Sequence, residues 1–415
     1  MKLIKPLSAL RPTKELAARV ASHPYDVVNR QEAAALARDN PYSFFHINKP
    51  EIDLPDSVDP HDPQVYEQGA ISLKRFIDEG ILIRDVEEKF YVYQQIMGSH
   101  LQIGLVALAS IDAYEEGLIK KHEHTRPEKE DDRVCHMDAL GAQVGPVFLT
   151  YRSDRKIDDL IDCVTAGTPE YDFTAEDGTR HTLWVLDDPS LTGDLEVAFD
   201  SVECLYVADG HHRSAAAARV RRLRQQHNSN HSGDESYNWF LTVLFPDNQM
   251  QILDYNRVVK DLNGMDDEEF FRVVEKNFEL DTIPYPTIAQ PVQPNHFGMY
   301  LSGQWYSLRA LDPILNKHDP VKSLDVSILQ EYLLAPILGI EDPRRDKRID
   351  FVGGIRGLAE LESRVNSGEW RVAFALYPTS ITSLMAIADA GEVMPPKSTW
   401  FEPKLKSGLI IHCID

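Results

Sequence analysis

Cysteine is scarce in this 415-residue sequence, which contains four. They are widely separated, and none stands at the paired spacing of a zinc or redox motif, so we expect buried thiols in a reducing compartment. The sequence also lacks an apolar run that could cross a membrane, and its first residues lack the apolar core of a signal peptide. These absences predict a cytoplasmic protein with no membrane partner. The cysteines are Cys135, Cys163, Cys204 and Cys413.

Positive charge is also in short supply. The chain has 43 lysines and arginines against 66 aspartates and glutamates, which gives a formal net charge of −23. A general nucleic-acid binder must meet the phosphate backbone with positive charge, so no nucleic-acid partner is expected. A small phosphorylated ligand in a locally basic pocket is compatible with this balance. Composition does not define the oligomeric state.

The familiar nucleotide-binding loops are missing as well. The sequence contains no GxxxxGK[ST] loop, no kinase glycine-rich loop and no internal repeat. A P-loop or protein-kinase fold is therefore not expected.

The most informative stretch is Glu203 to Gln226, ECLYVADGHHRSAAAARVRRLRQQ. It begins with an apolar segment of β type, Cys204 to Ala208, and continues into an alanine-rich segment. The apolar residues of that second segment recur at helical spacing, which predicts a strand, a sharp turn and a helix. Those residues are Ala216, Val220 and Leu223.

The turn between the strand and the helix carries the chemistry. Asp209 is placed to cap the helix, and Gly210 allows the backbone to approach a ligand closely. The next three residues bring side-chain donors to the positive end of the helix, an arrangement that favours an anion such as phosphate. The alternative is a capped helix whose charged groups are solvated or pair with the acidic surface. The three residues are His211, His212 and Arg213.

A second candidate region is the charged run KKHEHTRPEKEDDR, which ends at Arg133. Such runs usually form solvated helix faces. Here Lys129 and Arg133 share one helix face and can meet phosphate or carboxylate oxygens. Glu123, flanked by His122 and His124, is a candidate general base, and His122 is a candidate catalytic residue beside it.

A third candidate is the loop MPPKSTWFEPKL near the end of the chain. Its prolines stiffen a segment that presents Lys397, Ser398 and Thr399, with Lys404 and Lys406 close behind. Lysines beside hydroxyl groups predict a phosphate-contacting loop, whereas the alternative is a set of exposed lysines.

Taken together, five motifs in order resemble the domain-of-unknown-function family number 1015, with similarity along essentially the whole chain. The motifs are HPYDVV, the charged run, YVADGHHRSAAA, YNRVV and MPPKSTWFEPKL. The GHHR turn is also similar to the phosphate-binding turn of the ParB and sulfiredoxin superfamily, and to that of the free serine kinases within it.

This resemblance implies a phosphoryl-transfer enzyme that acts on a small hydroxyl metabolite, with free L-serine favoured. Gly210 to Arg213 would form the phosphate cradle, and His212 and Arg213 would meet the charge of the transferred group. Asp209 would reach a metal ion or orient a histidine, and Glu123 would be the base for the serine hydroxyl. The implied cofactor is Mg²⁺ with ATP, and ADP or pyrophosphate are alternative donors.

Two other function classes remain open. A metal-dependent hydrolase would use Asp209 with four histidines whose ligand chemistry suits zinc, iron or manganese, although HEHT is not the HExxH helix pair. A nucleotide-sensing module of ParB type would bind nucleotide without consuming it. The four histidines are His122, His124, His211 and His212.

The predicted fold is α+β, with a ParB/sulfiredoxin-like nucleotide-binding core over residues 1–261 and a C-terminal α/β unit over 262–415. The C-terminal unit is expected to contribute the Lys397 loop to the site. Alternating apolar runs predict a hairpin of Phe90 to Met97 with Leu101 to Ser110. The aromatic and β-branched stretch Ser43 to Pro50 is predicted to be a buried strand.

Overall fold

The computed structural model of the chain describes residues 2–284, 287–316 and 318–414. The chain forms two compact units, one made of Met1–Met250 with Pro403–Asp415 and the other of Gln251–Glu402. The predicted boundary at 261/262 differs from this division. Tyr255–Val259 is an inner strand of the second unit's sheet, and His412–Cys413 pairs with Ala142–Gln143 of the first unit. A boundary drawn along the sequence does not reveal such a return of the chain.

The first unit is built around one large sheet. Its strand order is β6-β11-β8-β12-β5-β4-β10-β9, with β1 paired to β5. Most neighbours are antiparallel, whereas β11 with β6 and β12 with β8 are parallel. The strands are β1 (Ile4–Lys5), β2 (Leu10–Pro12), β3 (Leu82–Arg84), β4 (Tyr91–Met97), β5 (His100–Ser110), β6 (Ile119–Lys120), β7 (Ala142–Gln143), β8 (Val147–Tyr151), β9 (Tyr171–Thr174), β10 (Arg180–Val185), β11 (Leu205–Asp209) and β12 (Trp239–Pro246).

Helices accompany this sheet, and α6 packs against both α4 and α9. The mixture of helices with a largely antiparallel sheet confirms the predicted α+β class. The helices are α1 (Ala17–Val20), α2 (Arg30–Ala37), α3 (Phe45–Asn48), α4 (Pro63–Asp78), α5 (Ile111–Glu115), α6 (Pro127–Leu140), α7 (Arg155–Thr165), α8 (Pro189–Asp200) and α9 (His211–His227).

The predicted strand, turn and helix around residue 209 is confirmed as β11 followed by α9. Leu205 and Val207 of the strand are fully buried, and so are Ala216 and Val220 of the helix, because both elements contribute to the main hydrophobic core. Leu223 also lies in α9 as predicted, although its side chain is 39% exposed. The core therefore fixes the start of α9 against the end of β11.

The predicted hairpin is confirmed, since β4 and β5 pair in register from Tyr91 opposite Val106 to Met97 opposite His100. The predicted strand over Ser43 to Pro50 is wrong, because α3 forms there. Its side chains Phe45 and Ile47 are buried, so the apolar content that suggested a strand serves helix packing instead.

The second unit contains a six-stranded antiparallel sheet in the order β15-β17-β16-β19-β14-β18, and a separate pair, β13 with β20. Its strands are β13 (Gln251–Leu253), β14 (Tyr255–Val259), β15 (Phe278–Thr282), β16 (His296–Leu301), β17 (Gln304–Ala310), β18 (Ile349–Gly353), β19 (Val372–Leu376) and β20 (Trp400–Glu402). Its helices are α10 (Asp267–Val274), α11 (Asp325–Leu329), α12 (Leu358–Asn366) and α13 (Ile381–Asp389).

Among the described residues, no helix combines the length and the apolar character that a membrane crossing requires.

Candidate functional site

The turn at Gly210 is shaped by its backbone conformation. Gly210 has φ +99°, in the left-handed region that favours glycine, and it is the N-cap of α9. One residue earlier the pairing of β11 with β8 shifts register between Val207 and Asp209, which marks a β-bulge. A Cβ atom at Gly210 would lie 3.0 Å from the Arg213 Nε atom. Glycine is therefore required both for the turn and for the close approach of the Arg213 guanidinium.

Arg213 lies in the first turn of α9 and folds back over Gly210. Its Nη1 donates to the Pro146 carbonyl, and its Nη2 lies 3.9 Å from the Asp209 carboxylate. Its side chain is 10% exposed, and its buried Nε has no hydrogen-bond partner among the described residues. A buried, unpaired donor costs about 1–3 kcal/mol. The guanidinium is thus held in place, and its Nε lies buried against Gly210 without a hydrogen-bond partner among the described residues.

Asp209, the last residue of β11, organises the cations of the turn. Its Oδ2 atom accepts a hydrogen bond from the Lys404 ammonium at 3.0 Å. Burial opposes ionisation of this carboxyl group, but Lys404 and then Arg213 hold its pKa well below the usual range. The prediction that Asp209 caps α9 is wrong, because the N-cap is Gly210 and no side-chain cap hydrogen bond forms.

A pocket lies beside the turn in the first unit. Arg213 lines it, and so does Arg133 from α6, whose guanidinium stacks 3.8 Å from the centre of the Tyr25 ring and pairs with Asp132 at 2.7 Å. The buried Asn48 Oδ1 atom also lines the pocket region and has no partner among the described residues. The pocket therefore combines two guanidinium groups with an unpaired acceptor.

Tyr25 lines the same pocket as the two arginines. Burial, together with the nearby Asp26, raises the pKa of Tyr25 to about 12, although Arg133 and Arg213 act in the opposite direction. The phenol is therefore neutral at physiological pH and supplies a hydroxyl group to this wall.

A different group of side chains lies on the histidine side of the turn. His122 and His211 meet edge to face, with ring centroids 4.4 Å apart. Both are buried, and burial lowers the pKa of each, to about 4 for His122. Possible ligand atoms of His122, Glu123 and His211 all lie within 4.8 Å of one another. The structure thus brings together predicted residues from two distant segments.

The other two histidines of the predicted hydrolase cluster do not join this group. His124 is exposed. His212 is half-buried, and its Nε2 accepts a hydrogen bond at 3.1 Å from the backbone N–H of Arg126, just before α6. The prediction of a four-histidine cluster is therefore wrong, since adjacent histidines at a helix start point in different directions.

Two other predicted phosphate-binding regions are Lys129 and the Lys397 loop. Lys129 lies half-buried in the first turn of α6 and is not one of the residues that line the pocket. Lys397, Ser398 and Thr399 belong to the second unit. There the Lys397 carbonyl accepts from Arg257 at 2.9 Å, and the Ser398 hydroxyl donates to the Pro395 carbonyl at 2.6 Å. The role of these residues in phosphate binding stays a prediction.

Sequence reasoning missed several residues of the pocket. Tyr25 stands in the HPYDVV motif, which was read only as a family marker, and Asn48 falls in the stretch that was wrongly predicted to be a strand. Gly145 and Ser407 also line the pocket next to Arg213. No spacing rule links these positions, because they meet only when α3, α6 and the returning C-terminal segment pack together.

The chain belongs to the family described as protein of unknown function (DUF1015), whose model matches residues 4–327. This confirms the predicted family. The matched segment ends before the MPPKSTWFEPKL motif, so the similarity of that last motif to the family stays a prediction. No curated protein matches the chain.

Solved structures that are similar include a free serine kinase in complex with AMP, at 14% identity and TM-score 0.34 over 74% of this chain and 91% of that chain. A conserved hypothetical protein from Pyrococcus furiosus shows 13% identity and TM-score 0.35 over 73% and 95%. SbnI from Staphylococcus aureus, with a C-terminal truncation, shows 11% identity and TM-score 0.37 over 72% and 84%. Because these scores lie below 0.5, the chemistry must be argued from the site itself.

Proposed function

We propose that the protein is a phosphotransferase that moves a phosphoryl group from a nucleotide or pyrophosphate donor to a small hydroxyl metabolite. The observation that carries this proposal is the Arg213 guanidinium, which is buried at the start of α9 with its Nε unpaired beside a pocket. Phosphoryl transfer depends mainly on positioning and on stabilising charge, and cationic donors at a helix start supply both.

In this proposal the donor phosphates bind at the turn. Arg213 and Lys404 provide charged donors, and the first N–H groups of α9 have no partners within the helix. Asp209 holds both cations and keeps their geometry before the donor arrives. Such preorganisation lets the cations stabilise charge on the transferred group without reorganising.

The acceptor is assigned to the pocket lined by Arg133, Tyr25 and Asn48. A guanidinium suits the carboxylate of an amino acid, and the unpaired Asn48 Oδ1 atom suits its ammonium group. The resemblance of the motifs to free serine kinases makes L-serine the first acceptor to test. Glu123, half-buried on the histidine side, is the proposed base for the hydroxyl proton.

Mg²⁺ enters this proposal with the donor. The Asp209 carboxylate, its predicted ligand, is already engaged by Lys404 and lies next to Arg213. A carboxylate that serves two cations does not fit a dedicated Mg²⁺ site, since Mg²⁺ prefers an open octahedral set of oxygen ligands. Mg²⁺ is therefore treated as part of a Mg·ATP substrate, and Asp209 is assigned to positioning the cations.

Phosphorus NMR of the full chain tests the proposal directly. Mg²⁺ and L-serine would be mixed in parallel with ATP, ADP or pyrophosphate, and the expected product is O-phosphoserine. Arg213→Ala should abolish the signal, whereas Arg180→Ala, which removes an exposed arginine paired with Asp172, should preserve it. Donor hydrolysis without phosphoserine would redirect the search to other hydroxyl acceptors. No change in any donor would overturn the proposal.

A further inference from the structure

Two imidazoles from distant parts of the chain meet in the interior of the first unit. His122 lies between β6 and α6, and His211 is the first residue of α9. Their side chains belong to residues that are 2% and 5% exposed, and their rings contact edge to face. This contact is independent of the cations Arg213 and Lys404.

Three ring nitrogens of this pair have no hydrogen-bond partner of ordinary geometry among the described residues. Neither ring nitrogen of His122 nor the Nε2 atom of His211 forms a hydrogen bond of ordinary geometry within residues 2–284, 287–316 and 318–414. Buried polar atoms are paired in the great majority of native structures, and each exception calls for an explanation such as a ligand. Three unpaired nitrogens in one place point to a shared ligand.

A carboxylate completes the group. The ligand atoms of His122, Glu123 and His211 lie within 4.8 Å of one another. On a common metal ion, with bonds of about 2.0–2.2 Å, such atoms would stand roughly 3–4 Å apart. Small side-chain rotations would shorten the distances between the ligand atoms from as much as 4.8 Å to this range.

We infer that His122, Glu123 and His211 form a binding site for a divalent transition-metal ion of the zinc and iron class. Two imidazole nitrogens and one carboxylate oxygen are a ligand set typical of zinc and non-haem iron sites that keep a position open, whereas Mg²⁺ prefers oxygen ligands alone. A bridging water is the competing occupant, because it also needs two to four polar partners.

The inference goes beyond the proposed function and does not depend on it. A Glu123 carboxylate that binds a metal ion no longer acts as an unbound base, so metal occupancy would replace the base role proposed above. A binding measurement without nucleotide or serine separates the two ideas, because it gives a result whether or not phosphoryl transfer occurs.

The experiment is a titration of the chelator-treated full chain with Zn²⁺ and with Co²⁺. Calorimetry measures the binding of both ions, and visible absorption reports the ligands of Co²⁺. We expect one equivalent to bind, with nitrogen ligation in the Co²⁺ spectrum, and Mg²⁺ not to compete. His122→Ala, His211→Ala and Glu123→Gln should each weaken binding by about tenfold or more. His124→Ala removes an exposed neighbouring histidine and should leave the affinity unchanged.

Circular dichroism would establish that each variant is folded, and His211→Gln offers a second substitution if His211→Ala is not. Absence of a stoichiometric site in the wild-type protein would overturn the inference and favour the bridging water. Equal affinity in the wild-type protein and in folded His122→Ala and His211→Gln variants would also overturn it, because the bound ion would then lie elsewhere.

Discussion

The two sides of the turn at Gly210 differ in how their polar groups are satisfied. On one side Asp209, Lys404 and Arg213 are charged and lie against one another, and the Arg213 Nε atom has no hydrogen-bond partner among the described residues. On the other side His122 and His211 are buried, and both ring nitrogens of His122 and the Nε2 atom of His211 have no hydrogen-bond partner of ordinary geometry among the described residues. The side with Asp209, Lys404 and Arg213, called the paired side below, holds cations in place for an anion. The side with His122 and His211, called the unpaired side, offers nitrogen lone pairs to a metal ion or water.

The largest expected effect comes from breaking the paired side at Gly210. Gly210→Ala would force a Cβ atom to within 3.0 Å of the Arg213 Nε atom and would strain a backbone with φ +99°. Displacing this donor should lower kcat/KM for phosphoryl transfer about a hundredfold, as loss of a preorganised donor does elsewhere. Steady-state kinetics would measure it.

Gly117→Ala is the matched control for this substitution. Gly117 has φ +82°, and a Cβ atom there would meet nothing within 4 Å. It carries a similar backbone strain without disturbing a guanidinium, so its kcat/KM should match that of the wild-type protein. Equal losses in the two variants would show that backbone strain, and not the position of Arg213, limits activity.

The contrast between a paired and an unpaired polar group also applies to the pKa values of two aspartates, Asp177 and Asp325. Burial opposes ionisation of Asp177, but Lys406 at 3.0 Å lowers its pKa to about 2. Asp325 in the second unit accepts from the Asn295 N–H, but its buried Oδ2 atom has no partner among the described residues. Burial raises the pKa of Asp325 to about 7.

Asp325 should therefore destabilise the fold as pH rises. Between pH 4 and 7 the folded chain keeps the Asp325 proton that the unfolded chain releases, so the contribution of Asp325 to the free energy of unfolding falls through this window and the loss is complete above pH 7. Asp325→Asn should remove this fall and raise the free energy of unfolding at pH 8 by about 2 kcal/mol. Denaturant unfolding at pH 5 and pH 8 would measure it.

Asp281→Asn, an exposed substitution in the same unit, is the control and should leave the pH profile unchanged. Parallel profiles of the wild-type and Asp325→Asn proteins from pH 4 to 7 would contradict the assignment of an unpaired buried carboxylate at Asp325.

A smaller effect is expected from removing the second cation of the turn. Lys404→Met removes one charged donor from the phosphate site, and Arg213 remains as the cation next to Asp209. The KM for the phosphoryl donor should rise about tenfold, which corresponds to one charge-assisted hydrogen bond. Lys89→Met, which removes a lysine paired with Asp187, should not change this KM. A donor KM that is insensitive to Lys404→Met would place the phosphates away from Asp209.

The smallest effect concerns the unpaired side. In metal-free protein His122→Leu removes no hydrogen bond of ordinary geometry among the described residues, so it should change the free energy of unfolding by less than about 1 kcal/mol or raise it slightly. His136→Leu is the matched contrast, because His136 is equally buried but hydrogen-bonds the Ile47 carbonyl at 2.9 Å. It should lower the free energy of unfolding by about 1–3 kcal/mol. Equal destabilisation in urea unfolding would show that His122 is paired.

Local patterns predicted the local elements well. The apolar run before Asp209 and the alanine-rich run after it predicted β11 and α9, because each carries its own periodicity. The prediction of a strand over Ser43 to Pro50 was wrong, since an apolar run of that length suits a buried helix as well as a strand. Single-sequence periodicity does not distinguish the two.

The sequence predicted several residues of the site but not which of them contact one another. The sequence indicated His122, Glu123, Asp209 and Arg213, but grouped His122 with His124 and His212. Which histidines meet depends on how α6 packs against α9, a long-range contact that spacing does not encode. The partner Lys404 lies 195 residues from Asp209, and only the return of the C-terminal segment brings it there.

The most direct test of the account is the affinity of the full chain for ADP and pyrophosphate, measured by calorimetry in wild-type, Arg213→Ala and Arg180→Ala proteins. The account predicts saturable binding that weakens about thirtyfold or more in Arg213→Ala and is unchanged in Arg180→Ala. Equal affinity in all three proteins would contradict the assignment of the Asp209–Arg213 turn as the phosphate site.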